Sequence, residues 1–359
     1  MHAAGATLAA GGLAAISRVR PGAKAPTLTP RQLAGQRVIY SYTGTTVPSS
    51  LLAQIKAGLA GGVIFYSDNT ASNIKGQISK LEAARLSSPV KTPLLLMTDQ
   101  EGGEVRRLPG QPVLSEKEIG ESKHPASEAG EAGSGAGENL RGVGMNVNLA
   151  PVLDVYRKAG DFDDQFQRSY SSNAKVCAEC GEAFIKSQQG LKVAATAKHF
   201  PGLGAATASE DTDVEPVTLD VSLADLRAID ELPYKSAIAA GVKLVLVSWA
   251  VYPALDAKYP AGLSSRIIQG ELRDRLGFRG VTITDAIEAG ALEHFGSTAE
   301  RSVLAAAAGM DVILCAAQDV SQGEQAVTAL ASAYEAKKLS QSQFAAAVDR
   351  VLALRESVA

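Results

Sequence analysis

Disulfide chemistry has little to work with in this chain. Its 359 residues hold three cysteines, an odd number too small for a stapled framework. Cys177 and Cys180 form a C-x-x-C pair, but no second pair or histidine cluster completes a zinc site. The Ala, Glu and Gly around them follow a helical pattern, so they read as two helical thiols near a core, with a local disulfide as the alternative. A basic surplus is also lacking. The chain has 35 Lys and Arg against 38 Asp and Glu, a formal charge of -3 and a pI near 5.9. It carries no basic stripe of the kind a phosphate backbone needs, and nucleic acid is set aside as a partner. No segment is apolar for long enough to span a bilayer. No G-x-G-x-x-G follows the first apolar run, which removes the usual mark of a dinucleotide site.

The first residues, Met1 to Ala15, are rich in Ala, Gly and Leu, and Arg18 to Pro30 is a polar stretch punctuated by proline. The N-terminal segment 1–28 resembles the end of an export signal's apolar region, although Lys or Arg is missing ahead of it. An amphipathic N-terminal helix is the other reading. A secreted or cell-surface location is therefore expected, with a cytoplasmic one as the alternative. Hydrophobic residues at 46% and charged residues at 20% are enough for a large core.

From Val38 onward, short β-branched runs alternate with longer helical patterns. The runs include Val38 to Tyr40, Gly62 to Tyr66, Leu94 to Thr98, Met145 to Leu149, Val193 to Ala197, Leu244 to Ser248, Val281 to Thr284 and Val312 to Leu314. Between them lie helix-like segments such as Ser49 to Leu59, Asn73 to Leu86, Glu128 to Leu140, Ala174 to Gln189, Ala224 to Ala240, Ser265 to Leu276 and Thr298 to Ala308. Leu339 to Val358 makes a final one. Such alternation means parallel strands covered on both faces. About eight runs is the count that closes a (β/α)8 TIM barrel. The expected fold class is thus α/β, with one domain over 29–359. The Gly-rich piece from Gly130 to Gly144 precedes a strand and reads as a close-packed helix and turn.

Several apolar runs end in polar side chains, which is where α/β barrels keep their chemistry. Val193 to Ala197 ends in Lys198-His199 and then breaks at Pro201-Gly202. Leu94 to Met97 ends in Thr98-Asp99-Gln100-Glu101-Gly102-Gly103, followed by Glu104 and Arg106-Arg107. Gln167-Arg168-Ser169-Tyr170 lies in a long polar loop, where Arg168 either clamps ligand hydroxyls or pairs with Asp161, Asp163 and Asp164. Val281-Thr282-Ile283-Thr284 ends in Asp285, which is either a helix cap or a group facing a mouth shared with the others.

Taken in order and spacing, Asp99 to Gly103, Gln167 to Tyr170, Lys198 to Gly202 and Thr284-Asp285 closely resemble the motifs of family 3 glycoside hydrolases. The single-domain bacterial β-N-acetylhexosaminidase branch is the nearest match, and the resemblance runs from about Thr29 to the C-terminus. It implies a retaining β-glycoside hydrolase with Asp285 as the nucleophile that forms a glycosyl-enzyme. Asp99, Arg107, Arg168, Lys198 and His199 would hold the hydroxyls of one sugar. It also implies a sugar or glycan substrate, no metal and no organic cofactor. A monomer is the default expectation.

The sequence departs from that branch in one loop. Leu203 replaces the first His of Lys-His-Phe-Pro-Gly-His-Gly. Ser209, Glu210 and Asp211 stand where an Asp-Ser-His general acid/base is expected, and Glu104 stands where an Arg is usual. A proton on the leaving oxygen is a contribution of roughly 10²- to 10⁴-fold. Glu210, Asp211 and Asp213 crowd three acids into that loop, and crowding favours protonating one of them. Asp211, at the position of the missing imidazole, is the first candidate, with Glu210 and Asp213 as competitors. The alternative is a sugar-binding or cell-wall-fragment-binding protein with a degenerate hydrolase site.

Overall fold

The computed structural model describes residues 28–70 and 73–359. The expected export segment falls almost wholly on residues outside these. Eight parallel strands close into a barrel: β1 (Val38–Tyr40), β2 (Gly62–Ile64), β3 (Leu95–Thr98), β4 (Val147–Asn148), β5 (Ala194–Phe200), β6 (Leu244–Val247), β7 (Val281–Ala286) and β8 (Val312–Leu314). Each strand pairs with its sequence neighbour, and β8 returns to β1 through Val38 opposite Ile313 and Ile39 opposite Leu314. The expected (β/α)8 barrel is what the chain forms.

The strands read as nearly continuous apolar runs because both of their faces are buried. Ile39, Ile64, Met97, Val147, Leu246, Ile283 and Leu314 pack on one another inside the barrel. The C-terminal helix Gln341–Ser357 adds Val351 and Leu354 to the same cluster, and Arg355 donates to the carbonyls of Thr92 and Pro93 just ahead of β3. This helix plugs the amino-terminal end of the barrel, and ligands are left the other end.

The elements follow the expected alternation, with differences that have local causes. β4 is shorter than the run Met145 to Leu149 suggests. The side-chain amides of Asn146 and Asn148 join the ladder, bonding to Leu94 and Leu96 and to both backbone groups of Gln100. The expected helix over 224–240 is broken, since Pro233 has no N–H to continue it, and the regular part is Leu232–Ala239. The segment after β6 forms a wide π-type helix, Arg266–Arg275. The Gly-rich piece belongs to the helix Pro125–Val143, where a side chain at Gly133 would meet the Phe184 carbonyl at 2.3 Å. Cys177 and Cys180 are buried free thiols on the helix Ala174–Gly190. No helix among the described residues is long and apolar enough to cross a membrane.

Candidate active site

β5 is buried along its whole length, including Lys198 and His199 near its carboxyl end. Buried charges must be paired, and these are. Lys198 Nζ lies 2.8 Å from Asp99 Oδ1, at the end of β3, and 2.7 Å from Glu101 Oε1. Arg168 grips the same Glu101 with two parallel bonds, Nε to Oε2 at 2.9 Å and Nη2 to Oε1 at 2.8 Å. Its third nitrogen is 3.3 Å from Asp163 Oδ1. Burial alone would raise the Glu101 carboxyl, but Arg168 and Lys198 bring it down to about 2. Burial also works against charge on Lys198, yet Asp99 and Glu101 hold its ammonium above its ordinary range. One carboxylate beneath the site thus fixes two cations that face upward from separate parts of the chain. Arg168 pairs with Asp163, as one reading of the sequence has it, and also lines the cavity.

His199 is set by Asp154, six residues beyond the end of β4. Its Nδ1 is 2.7 Å from Asp154 Oδ2, and Asp154 Oδ1 accepts from Leu203 N at 2.5 Å. Burial, with Arg168 acting in the same sense, lowers the imidazole to about 4, so it is neutral near pH 7. Burial raises Asp154 to about 6 and, with the Asp154 charge beside it, Asp163 to about 7. Asp154, Asp163 and His199 offer metal-type donor atoms within 4.8 Å of one another. Those atoms already hold the histidine, two backbone N–H groups and Arg168, so the cluster is accounted for as a clamp on the imidazole.

Asp285 comes next to last in β7 and, among the described residues, accepts only the adjacent Ala286 N–H, at 2.8 Å. It does not cap the helix that follows. Its carboxyl is raised by burial and then by Asp213, while His199 and Lys198 pull it back. The acidic loop after β5 reaches across to it. Gly290 N donates to the Asp213 carbonyl at 2.8 Å and Ala291 N to the Thr212 carbonyl at 3.0 Å. A side chain at Gly290 would meet the Val214 carbonyl at 2.0 Å, so only glycine permits this approach.

Within the loop the three acids separate. Asp211 and Asp213 line the cavity, and Asp211 Oδ1 accepts from Asp213 N at 2.9 Å. Asp213 keeps contact with solvent at the rim but is walled in by protein, and this confinement, with Asp211 beside it, raises its carboxyl. Glu210 is turned away: its Oε2 accepts from Thr207 N at 2.7 Å and Thr207 Oγ1 at 2.9 Å, and it is not part of the cavity wall. Leu203 occupies the wall where the resemblance places a histidine.

Together these groups surround a cavity of about 430 Å³ at the carboxyl ends of the strands. Asp99, Arg107, Arg168, Lys198, His199, Asp211, Asp213 and Asp285 all line it, so of the residues singled out in the sequence only Glu210 stands apart. The sequence reading missed Glu101 and Asp154, which hold the binding residues from behind. It also missed Glu288, a cavity carboxylate raised by burial that accepts from Gln322 Nε2 at 2.9 Å and Ala316 N at 3.2 Å. Glu288 sits three residues beyond Asp285, a proximity that was the only available signal. Phe162 supplies an aromatic wall beside Leu203.

The sequence profile of the glycosyl hydrolase family 3 N-terminal domain matches residues 41–354. The chain belongs to this family. Among family 3 relatives, an uncharacterized secreted glycosyl hydrolase of Arthroderma benhamiae is 47% identical over 324 residues, covering 90% of this chain and 92% of that protein. A beta-hexosaminidase of Nitrosomonas eutropha is 31% identical over 302 residues, covering 82% and 84%. Among solved structures, a family 3 beta-N-acetylglucosaminidase from Paenibacillus sp. str. FPU-7 superposes with a TM-score of 0.86 at 34% identity. That match covers 92% of this chain and 63% of the longer one. The beta-N-acetylhexosaminidase of Beutenbergia cavernae gives a TM-score of 0.83 at 31% identity, covering 92% and 99%. This family 3 chain is a glycosidase by that kinship.

Proposed function

We propose that the protein is a retaining β-glycosidase of β-N-acetylglucosaminides or related β-glycosides, with Asp285 as nucleophile and Asp213 as acid/base. The carrying observation is that one small cavity gathers Asp285, the cations Lys198 and Arg168, neutral His199, and an acid loop tethered to the segment after β7. Asp99, Arg107, Arg168, Lys198 and His199 hold the hydroxyls of the bound sugar. Asp285 attacks the anomeric carbon as Asp213 protonates the departing oxygen. Asp211, the residue aligned with the lost imidazole, raises Asp213 by its charge and orients its backbone. Once Asp285 is esterified its negative charge is gone, and Asp213 gives up its proton more readily, as the water-activating base requires. Two relatives named beta-N-acetylglucosaminidase or beta-N-acetylhexosaminidase support the sugar assignment, and the secreted Arthroderma benhamiae relative supports an extracellular location.

A panel of aryl β-glycosides, including the N-acetylglucosaminide, glucoside and xyloside, tests this reading with Asp285→Asn as control. Turnover of the N-acetylglucosaminide that vanishes in the control is expected. Turnover that survives it removes Asp285 from the chemistry.

One observation favours a second reading. Leu203 fills a position where the resemblance calls for an imidazole, which suits a sugar-binding protein with no turnover. Calorimetry with N-acetylglucosamine separates the two, since a binder releases heat without product and keeps its affinity in Asp285→Asn.

A further inference from the structure

A second cavity, of about 320 Å³, lies at the opposite end of the barrel, against the C-terminal helix. Its wall carries Arg37, Arg273, Lys338 and Arg350, and no Asp or Glu belongs to the described lining. One buried carboxylate just behind it, Asp311, serves two of these cations. Arg273 Nη2 reaches Asp311 Oδ2 at 2.7 Å, and Arg350 Nη2 reaches Asp311 Oδ1 at 2.7 Å. Arg37 gets no carboxylate. Its Nη2 donates to the Met310 carbonyl at 2.6 Å and its Nε to the Asp311 carbonyl at 3.0 Å, with the Phe344 ring 4.2 Å from the guanidinium carbon. The Lys338 ammonium has no ion-pair partner among the described residues.

Arg37 is only 2% exposed and Arg273 5%, so both cations have lost most of their water. The Arg273 Nε is buried without any hydrogen-bond acceptor. A buried guanidinium N–H left without an acceptor costs free energy. Burial brings Arg37 down to about 10, while Asp311 supports its charge and the nearby Arg350 opposes it. Ser340, Gln343 and Phe344, at the start of the helix Gln341–Ser357, complete the wall and present the helix's positive end.

We infer that this cavity binds a dianionic tetrahedral oxyanion, the phosphate of inorganic phosphate or of a small phosphomonoester. Four cations against one carboxylate leave room for two negative charges, and Lys338 Nζ, Arg37 Nη1 and Arg273 Nε are the donors left without an acceptor among the described residues. A carboxylate ligand would supply a single charge and leave the remainder uncompensated. The volume accommodates phosphate with water, or phosphate joined to a small polyol. Arg37 precedes β1, Arg273 and Arg350 lie on two helices, and Lys338 lies in the turn before the second of these. A bound anion ties these segments together at the barrel's closed end. The inference does not depend on which glycoside the other cavity takes.

Thermal unfolding and titration calorimetry on the full chain test it, with inorganic phosphate, a hexose 6-phosphate and sodium chloride at matched ionic strength. Binding to the folded state alone raises the melting temperature logarithmically with ligand concentration. A rise of a few degrees with phosphate but not chloride, and a saturating heat with one-to-one stoichiometry, are expected. The Lys338 side chain makes no hydrogen bond or ion pair among the described residues, so Lys338→Gln is expected to weaken binding about tenfold, the effect of losing one exposed charge contact, while aryl glycoside turnover stays unchanged. Arg350→Gln should weaken it further. Tighter binding of the hexose phosphate marks an organic ligand, tighter binding of inorganic phosphate marks the free ion, and both uphold the site. A shift that chloride reproduces, a heat that does not saturate, or equal affinity in Lys338→Gln and Arg350→Gln would overturn it.

Discussion

The Gly290 N–H donates to the Asp213 carbonyl at 2.8 Å, so the acidic loop after β5 is fastened to the segment that follows Asp285. Asp213 and Asp285, the proposed proton donor and nucleophile, are therefore positioned by one another's supports, although they lie more than 70 residues apart in sequence. Replacing Gly290 by Ala forces the new methyl onto the Val214 carbonyl. The Gly290→Ala variant is expected to lose more turnover than binding, since a 1 Å displacement of a catalytic group can cost about 10²-fold while the sugar-holding cations are untouched. Steady-state kinetics checks this as a fall in kcat with KM nearly constant.

The loop acids can be told apart by the leaving group. Asp213→Asn should depress hydrolysis of nitrophenyl glycosides by roughly 10²- to 10⁴-fold and that of dinitrophenyl glycosides far less, because the better leaving group departs without a proton. Azide should speed the second step in this variant. Asp211→Asn keeps the acid but removes the charge that raises it, and is expected to have the smaller effect. Glu210→Gln should do least, since that side chain bonds to Thr207. A larger loss for Asp211→Asn than for Asp213→Asn would return the role to the residue aligned with the missing imidazole.

The pH profile carries a second signature. Activity requires Asp285 ionised and Asp213 protonated, so kcat/KM rises as pH passes the first carboxyl and falls as it passes the second. Burial raises both, with Asp211 adding to the rise of Asp213 and Asp213 to that of Asp285, so both limbs are expected above the ordinary carboxylate range. His199, lowered to about 4, is neutral across this window and should contribute no limb near the ordinary imidazole range. Measuring kcat/KM against pH for the unmodified chain and for Asp213→Asn is the check, and the alkaline limb is expected to disappear in the variant.

Charge in the cavity bears on which sugars enter. Asp99, Asp211, Asp213, Asp285 and Glu288 line it against Arg107, Arg168 and Lys198, and Glu101 already occupies much of the donor capacity of Arg168 and Lys198. A sugar bearing its own carboxylate adds repulsion from five carboxyl groups, with Arg107 as the one lining cation not paired to a carboxylate among the described residues. An aryl β-glucuronide is expected to be hydrolysed at least about tenfold more slowly than the glucoside, and Glu288→Gln should narrow that gap. Comparing kcat/KM for the two substrates on both proteins tests this.

Much of this was legible in the chain because an apolar run that ends in a charge is a local pattern. Lys198, Asp99 and Asp285 announced themselves in that way, and the count of such runs gave the barrel. Glu101 was visible only as a neighbour of Asp99. Nothing in its spacing tells that it turns inward to meet Arg168, because that contact joins positions 67 residues apart. Asp154 was hidden for the same reason: it supports His199 across 45 residues. The loop acids were legible as a group but not individually. Aligning them one for one with the expected motif selects Asp211, which lines the cavity together with Asp213, whereas the tether at Gly290 and the bonds from Thr207 to Glu210 are contacts that sequence does not reveal.

The shared anchor is the last point to test. Glu101 accepts from Lys198 and from two nitrogens of Arg168, and all three residues are largely removed from water. Glu101→Gln leaves Lys198 with Asp99 alone and Arg168 with Asp163 alone, so positive charge is stranded in the floor of the site. Removing one partner of a buried ion pair costs about 3–5 kcal/mol, and chemical denaturation should show it as a lower midpoint with an unchanged slope. Lys198 and Arg168 also lose the group that aims them, so KM for the N-acetylglucosaminide should rise. Asp99→Asn removes a carboxylate that solvent already reaches and should raise KM with a smaller loss of stability. If the two variants are equally stable, Glu101 is not the member that holds the cations in place, and the floor of the site is organised around Asp99 instead.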